Sequence, residues 1–71
     1  MVTGEIGSIL RYFEWDHLPP RLQEVSRPFG ELAHRMVETL PTVVTPGSYE
    51  TLAGLRRLLE AKDCAVRAAL E

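Results

Sequence analysis

The sequence predicts an all-α fold, an antiparallel helical hairpin with a short N-terminal aromatic segment, which oligomerises through its apolar faces. Two stretches repeat apolar residues at three-and-four spacing, as helices with one buried face do. The connection between them is short, which forces two long helices to pack antiparallel. A chain of 71 residues forms one domain, 1–71. Its predicted parts are an N-terminal segment 1–19, a bent helix 20–40, a loop 41–47 and a long helix 48–70.

The long helix 48–70 has the clearest pattern. Its apolar face carries leucine, alanine and valine, and its other faces are charged. Ser48 is the predicted N-cap because its hydroxyl can accept a first-turn amide, and Glu50 suits the positive helix end. Pro46 and Gly47 are expected to break any structure before it. Two pairs of opposite charge are four residues apart and predict ion pairs, Arg56 with Glu60 and Asp63 with Arg67.

The helix 20–40 has a near-heptad apolar seam, and Pro20 suits its first turn, where no amide is needed. Pro28 interrupts the pattern and is expected to kink or divide the helix, with Ser26 as the N-cap of any second part. The seam consists of Leu22, Val25, Phe29, Leu32, Met36 and Leu40.

In the N-terminal segment 1–19, Gly4 and Gly7 both lower helix propensity, so no stable helix is expected in its first part. Ile6, Ile9 and Leu10 could nonetheless form a short apolar turn there. Aromatic residues follow, and Pro19 with Pro20 ends the segment. The tract 42–45 has no partner strand and is interpreted as an extended linker.

Size and charge limit the class of protein. So small a chain has a marginal core and gains from self-association. Cys64 is the single cysteine, so neither an internal disulfide nor a cysteine zinc site is expected. There is no signal peptide pattern and no apolar run of about 20 residues, which predicts a cytoplasmic protein without a membrane partner. The net charge of −2 argues against a DNA or RNA polymer as partner.

Few residues are suited to catalysis. His17 and His34 lack metal-ligand spacing, and Cys64 has no histidine near it in sequence. The glycines form no phosphate-binding loop. We therefore expect no enzyme, no catalytic residue, no metal and no cofactor.

Binding is the more plausible activity. Tyr12, Phe13, Trp15 and His17 offer ring faces on which a nucleobase can stack, at about 1–3 kcal/mol per base. Seven of the eight basic residues are arginines, whose planar forks suit phosphates. The open alternatives are that Phe13 and Trp15 cover the apolar face of the hairpin, and that the arginines reflect an arginine-rich genome. Arginines on the helices that could clamp phosphates are Arg27, Arg35, Arg56 and Arg57.

Three motifs indicate a family. An aromatic-x-aromatic segment precedes the hairpin, a Leu-Ala step and a proline mark its first helix, and its second helix opens at a serine. With these motifs the chain resembles the phage cyclic-nucleotide sponges that counteract the CBASS and Thoeris defences, whose shared unit is a helical hairpin domain. The first motif is Phe13-Glu14-Trp15-Asp16-His17, and the second runs from Glu31-Leu32-Ala33 to Leu40-Pro41. The third comprises Ser48-Tyr49-Glu50 and the leucine–basic–leucine stretch Leu55-Arg56-Arg57-Leu58-Leu59-Glu60-Ala61.

The resemblance implies a homo-oligomer, expected to be a hexamer, in the cytoplasm of the host cell. It would sequester cyclic oligonucleotides or cyclic ADP-ribose-type signals without cleaving them. Tyr49 stands where the family usually has an arginine, so it is expected to stack on a base instead. The alternative function is a small interaction module, an adaptor or inhibitor that docks on a host or phage protein through the seam. The predicted ligand-binding residues are Phe13, Trp15, His17, Arg27, Arg35, Ser48, Tyr49, Thr51 and Arg56.

Overall fold

The fold is all-α, as predicted. A computed structural model describes residues 4–71 and contains no strand in that range. Its elements are three helices and one 3₁₀ turn. In chain order they are α1 (Gly4–Leu10), the 3₁₀ turn Arg11–Phe13, α2 (Pro20–Thr39) and α3 (Pro46–Leu70).

The first helix, α1, corrects the expectation that two glycines prevent a stable helix in this segment. Ile6 is fully buried and Ile9 nearly so, three residues apart on the same face of α1. Most helical stability in proteins comes from packing of an apolar face rather than from propensity. Packing of the two isoleucines therefore outweighs the low propensity of Gly4 and Gly7.

The second helix, α2, is continuous through Pro28 and begins with Pro20 in its first turn. The chain is not divided at this proline, so Ser26 is an interior residue of the helix and caps nothing. The helix ends at Thr39, where Leu40 turns extended and donates its backbone N–H to the Met36 carbonyl at 2.9 Å.

The third helix, α3, begins at Pro46 rather than at Ser48. Thr45 is the N-cap and Ser48 is the third helical residue, and the two form a reciprocal capping box. The Thr45 amide donates to the Ser48 hydroxyl at 3.2 Å. Pro46 therefore occupies the first helical position, where proline is favoured, and the prediction that Pro46 and Gly47 precede the helix was wrong.

The two ion pairs predicted along α3 do not form. Within residues 4–71 the ion pairs are all between near neighbours, and the only one in α3 joins Lys62 and Asp63 at 3.6 Å. Arg67 instead donates to the sulfur of Cys64 at 3.4 Å. Exposed pairs contribute about 0–1 kcal/mol, so their loss leaves the helix intact.

The core lies where α1 and the 3₁₀ turn pack against both long helices. The helices α2 and α3 also contact each other extensively. The molecule is elongated, with extents of 40 × 18 × 17 Å. The buried apolar side chains are Ile6, Ile9, Phe13, Ala33, Leu52 and Leu55.

Candidate functional site

A surface concavity lies between α1 and α3. We call it the tyrosine–arginine groove, and its volume is about 670 Å³. The buried side chains of Ile9 and Leu52 contribute to its apolar lining, together with Leu59. Its full lining is Gly4, Glu5, Ser8, Ile9, Tyr12, Leu52, Arg56 and Leu59.

The groove is open because small residues line its α1 side. Gly4 and Ser8 are four residues apart on one face of that helix and fill little space. Tyr12 follows in the 3₁₀ turn, and 63% of its surface is exposed. Its backbone carbonyl accepts a hydrogen bond from the Lys62 ammonium at 2.6 Å, which ties the turn to α3. The exposed ring is therefore carried by an anchored backbone.

Arg56 supplies positive charge to the same groove. Its side chain is exposed and forms no ion pair with any residue of 4–71. Glu5 also lines the groove, so an acidic group lies on its α1 side. An aromatic ring and an unpaired guanidinium over an apolar floor form a surface that can stack a planar ring and bind an anionic group.

A smaller concavity of about 240 Å³ continues the groove toward the start of α3. The two share Gly4, Glu5 and Leu52. Tyr49, which is 65% exposed, lies in this extension together with Ser48. The structure thus brings Tyr49 and Arg56, two of the predicted ligand residues, to adjoining concavities, whereas Ser48 lines the smaller one but is only 2% exposed.

Phe13 and Trp15, which were predicted to stack on a ligand, instead pack against other residues of the chain. Phe13 is fully buried in the core, so its ring cannot stack on a ligand. Trp15 is half-buried and lies directly against Gly30 of α2, where any Cβ would overlap its ring. The alternative interpretation, in which these aromatics cover the apolar face of the helices, agrees with these positions.

The hydroxyls of Ser48 and Thr51 are buried and occupied. Ser48 donates to the Thr45 carbonyl at 2.8 Å, and Thr51 donates to the Gly47 carbonyl at 3.2 Å. These bonds hold the first turns of α3. Neither hydroxyl is available to a ligand in this conformation.

The remaining predicted residues lie outside the groove. Arg27 is exposed and pairs with Glu31 at 3.4 Å, and Arg35 is exposed on the same helix, α2. His17 is exposed and lines a separate pocket, which is described below. These three side chains do not meet Arg56 within one chain.

Sequence reasoning missed part of the groove. Tyr12 belongs to the predicted aromatic cluster but not to the predicted ligand residues, and its exposure depends on the turn that buries Phe13. Glu5 and Ser8 line the groove only because α1 forms, which the glycines obscured. No local pattern marks these two residues.

Comparison with known proteins identifies no relative. No protein-family model matches the chain, and no curated protein or solved structure is significantly similar to it. Among residues 4–71, no three His, Cys, Asp or Glu side chains converge as metal ligands do. No helix in this range combines the length and the apolar character needed to cross a membrane.

Proposed function

We propose that this protein binds and sequesters a cyclic-nucleotide-type signal without cleaving it. The observation that carries the proposal is the tyrosine–arginine groove, in which the exposed Tyr12 ring and the unpaired Arg56 guanidinium line one apolar depression. A nucleotide presents the matching chemistry, a flat base and an anionic phosphate. The resemblance to the phage sponges supports the same ligand class.

The expected contributions of the two residues are comparable. Stacking a base on an aromatic side chain contributes about 1–3 kcal/mol. A hydrogen bond to a charged group contributes about 1.5–3 kcal/mol. Sequestration requires tight binding and an amount of protein that matches the ligand, so no catalytic group is needed.

A cyclic oligonucleotide carries at least two phosphates, whereas the groove of one chain supplies one unpaired cation. We therefore infer that a second protomer completes the site. Arg35 is exposed and forms no ion pair within residues 4–71, so it can serve a neighbouring protomer. The oligomer expected from the resemblance is a hexamer in the cytoplasm of the host cell.

The surface of the chain supports self-association. In the proposed arrangement α2 and α3 form an antiparallel hairpin whose exposed apolar residues meet those of other protomers. The large exposed apolar side chains are Tyr12, Leu32, Leu40, Val43, Val44, Tyr49 and Leu70.

The alternative, a module that docks through the seam of α2, is less well supported. Phe29 and Met36 are half-buried and pack against the core of the same chain. Only Leu32 and Leu40 of the seam are exposed. Most of the surface that such a module would present is therefore already covered.

The test is a calorimetric titration of the purified protein with cyclic dinucleotides, cyclic trinucleotides and cyclic ADP-ribose isomers. We expect at least one to bind below micromolar concentration and to be recovered intact by mass spectrometry after the protein is denatured. Absence of binding across the panel would refute the proposal. A monomer that captures one host protein in place of a nucleotide would support the docking module.

A further inference from the structure

A second pocket lies on another part of the surface. One side is formed by the 3₁₀ turn and the segment that follows it, and the other by the C-terminal part of α3. We call it the Ser26 pocket, and its volume is about 360 Å³. It shares only Tyr12 with the tyrosine–arginine groove. Ser26 lines it together with five charged residues, Arg11, Glu14, Lys62, Asp63 and Arg67.

The hydroxyl of Ser26 is buried and unpaired. The residue is fully buried, and its oxygen has no hydrogen-bond partner within residues 4–71. Thr39 and Thr51 are also helical hydroxyl residues, and each donates to the carbonyl four residues before it, at 2.8 and 3.2 Å. Ser26 forms no such bond. A buried hydroxyl without a partner destabilises the fold, and a bound polar group would offset that cost.

The charges around Ser26 favour an anion. Three cations line the pocket against two carboxylates. Lys62 is already engaged by Asp63 and the Tyr12 carbonyl. Arg11 forms no ion pair within residues 4–71, and Arg67 donates only to the Cys64 sulfur, a weak acceptor. Two guanidinium groups therefore remain free to bind an oxyanion.

We propose that the Ser26 pocket binds a phosphate group, with Arg11 and Arg67 as its charged donors and the Ser26 hydroxyl as its buried donor. Arginine forks match the oxygens of phosphate, and the hydroxyl gains the partner it lacks. The Ser26 oxygen is almost completely covered, so binding requires a small displacement of pocket-lining side chains, of which Leu18 and Val66 are the aliphatic ones. This site does not depend on the proposed function of the other groove.

The experiment is a titration with inorganic phosphate followed by ¹H–¹⁵N and methyl NMR, repeated with sodium chloride at equal ionic strength. We expect saturable shifts at the Ser26 amide and at the Leu18 and Val66 methyls, with phosphate only. S26A is expected to weaken binding about tenfold, because it removes one hydrogen bond to a charged group. R11Q and R67Q should each weaken binding, whereas R57Q, a control on α3 outside the pocket, should not.

Equal shifts with sodium chloride, or equal weakening by R57Q and R67Q, would overturn the assignment. Thermal unfolding without phosphate provides a second criterion. S26A should melt at or above the melting temperature of the wild type, since it removes a buried hydroxyl whose lack of a partner destabilises the fold. A lower melting temperature would mean that the hydroxyl has a partner in the free protein, and would also overturn the proposal.

Discussion

The two sides of the N-terminal helical segment, α1 with its 3₁₀ turn, have opposite roles. The inner side carries Ile6, Ile9 and Phe13 into the core. The outer side carries Tyr12 to the wall of the tyrosine–arginine groove. Tyr12 and Phe13 are adjacent, yet one is 63% exposed and the other is fully buried. An aromatic cluster in a sequence is therefore not by itself a binding site, because the turn decides which ring reaches solvent.

The inner side stabilises the fold, and the outer side is exposed to solvent. A domain of 71 residues is expected to have a free energy of unfolding of roughly 4–11 kcal/mol. The contribution of a single buried ring is a large fraction of that free energy of unfolding. Substitution of the outer side chains should change the free energy of unfolding only slightly. Mutations can therefore test the difference between the two sides.

The largest expected effect is that of Phe13→Ala. Removing a fully buried phenyl ring costs about 3–5 kcal/mol, which is sufficient to unfold much of the protein. Tyr12→Ala, the adjacent control, should change the free energy of unfolding by less than about 1 kcal/mol, the usual range for an exposed position. Urea denaturation followed by circular dichroism measures both. Similar losses for the two variants would show that the inner and outer sides are not distinct.

A smaller loss is expected from Gly30→Ala. The new Cβ would overlap the Trp15 ring and lie 2.6 Å from the Phe13 carbonyl oxygen, so the inner packing must shift. Overpacking of this kind costs about 1–3 kcal/mol. Gly7→Ala is the matched control, because a Cβ added at this position has nothing within 4 Å. The higher helix propensity of alanine should stabilise α1 by up to about 1 kcal/mol. Thermal melts in which Gly30→Ala is as stable as the wild type would contradict this packing.

The smallest effect on the stability of the single chain is expected from Val44→Glu. Val44 is 67% exposed in the loop before α3, so the folded chain should tolerate the charge. The proposed oligomer should not, because a charge at an apolar contact is costly to bury. Light scattering should show a shift toward monomer. Ala61→Glu adds the same charge at an exposed position of α3 and should leave the oligomer intact. No difference between the two variants would place the contact elsewhere.

The prediction of helices rests mostly on the periodicity of apolar residues and on the positions of prolines. The apolar spacing of α2 and α3 predicted both long helices, because this periodicity involves only residues three and four positions apart in the sequence. The helix α1 was missed because its stability depends on contacts with distant residues, which outweigh two glycines. The contact between Gly30 and Trp15 joins positions 15 residues apart, and no local pattern reveals it.

The candidate site was predicted only in part. Arg56 and Tyr49 lie at the groove and its extension, whereas Phe13 and Trp15 stabilise the fold. Ser48 was predicted as the N-cap, but Thr45 takes that position and Ser48 is the third helical residue. A residue type indicates what chemistry a side chain can do. Which surface it reaches depends on the packed structure.

The most direct test of the central claim is the affinity of three variants for the best ligand of the cyclic-nucleotide panel. Tyr12→Ala and Arg56→Ala remove the ring and the guanidinium of the groove, while Arg57→Ala removes the adjacent arginine, which does not line it. We expect the first two to weaken binding by about 1–3 kcal/mol each, roughly 5- to 150-fold in Kd, with Arg57→Ala unchanged. Equal affinity of all three variants and the wild type would contradict the assignment of the groove as the ligand site.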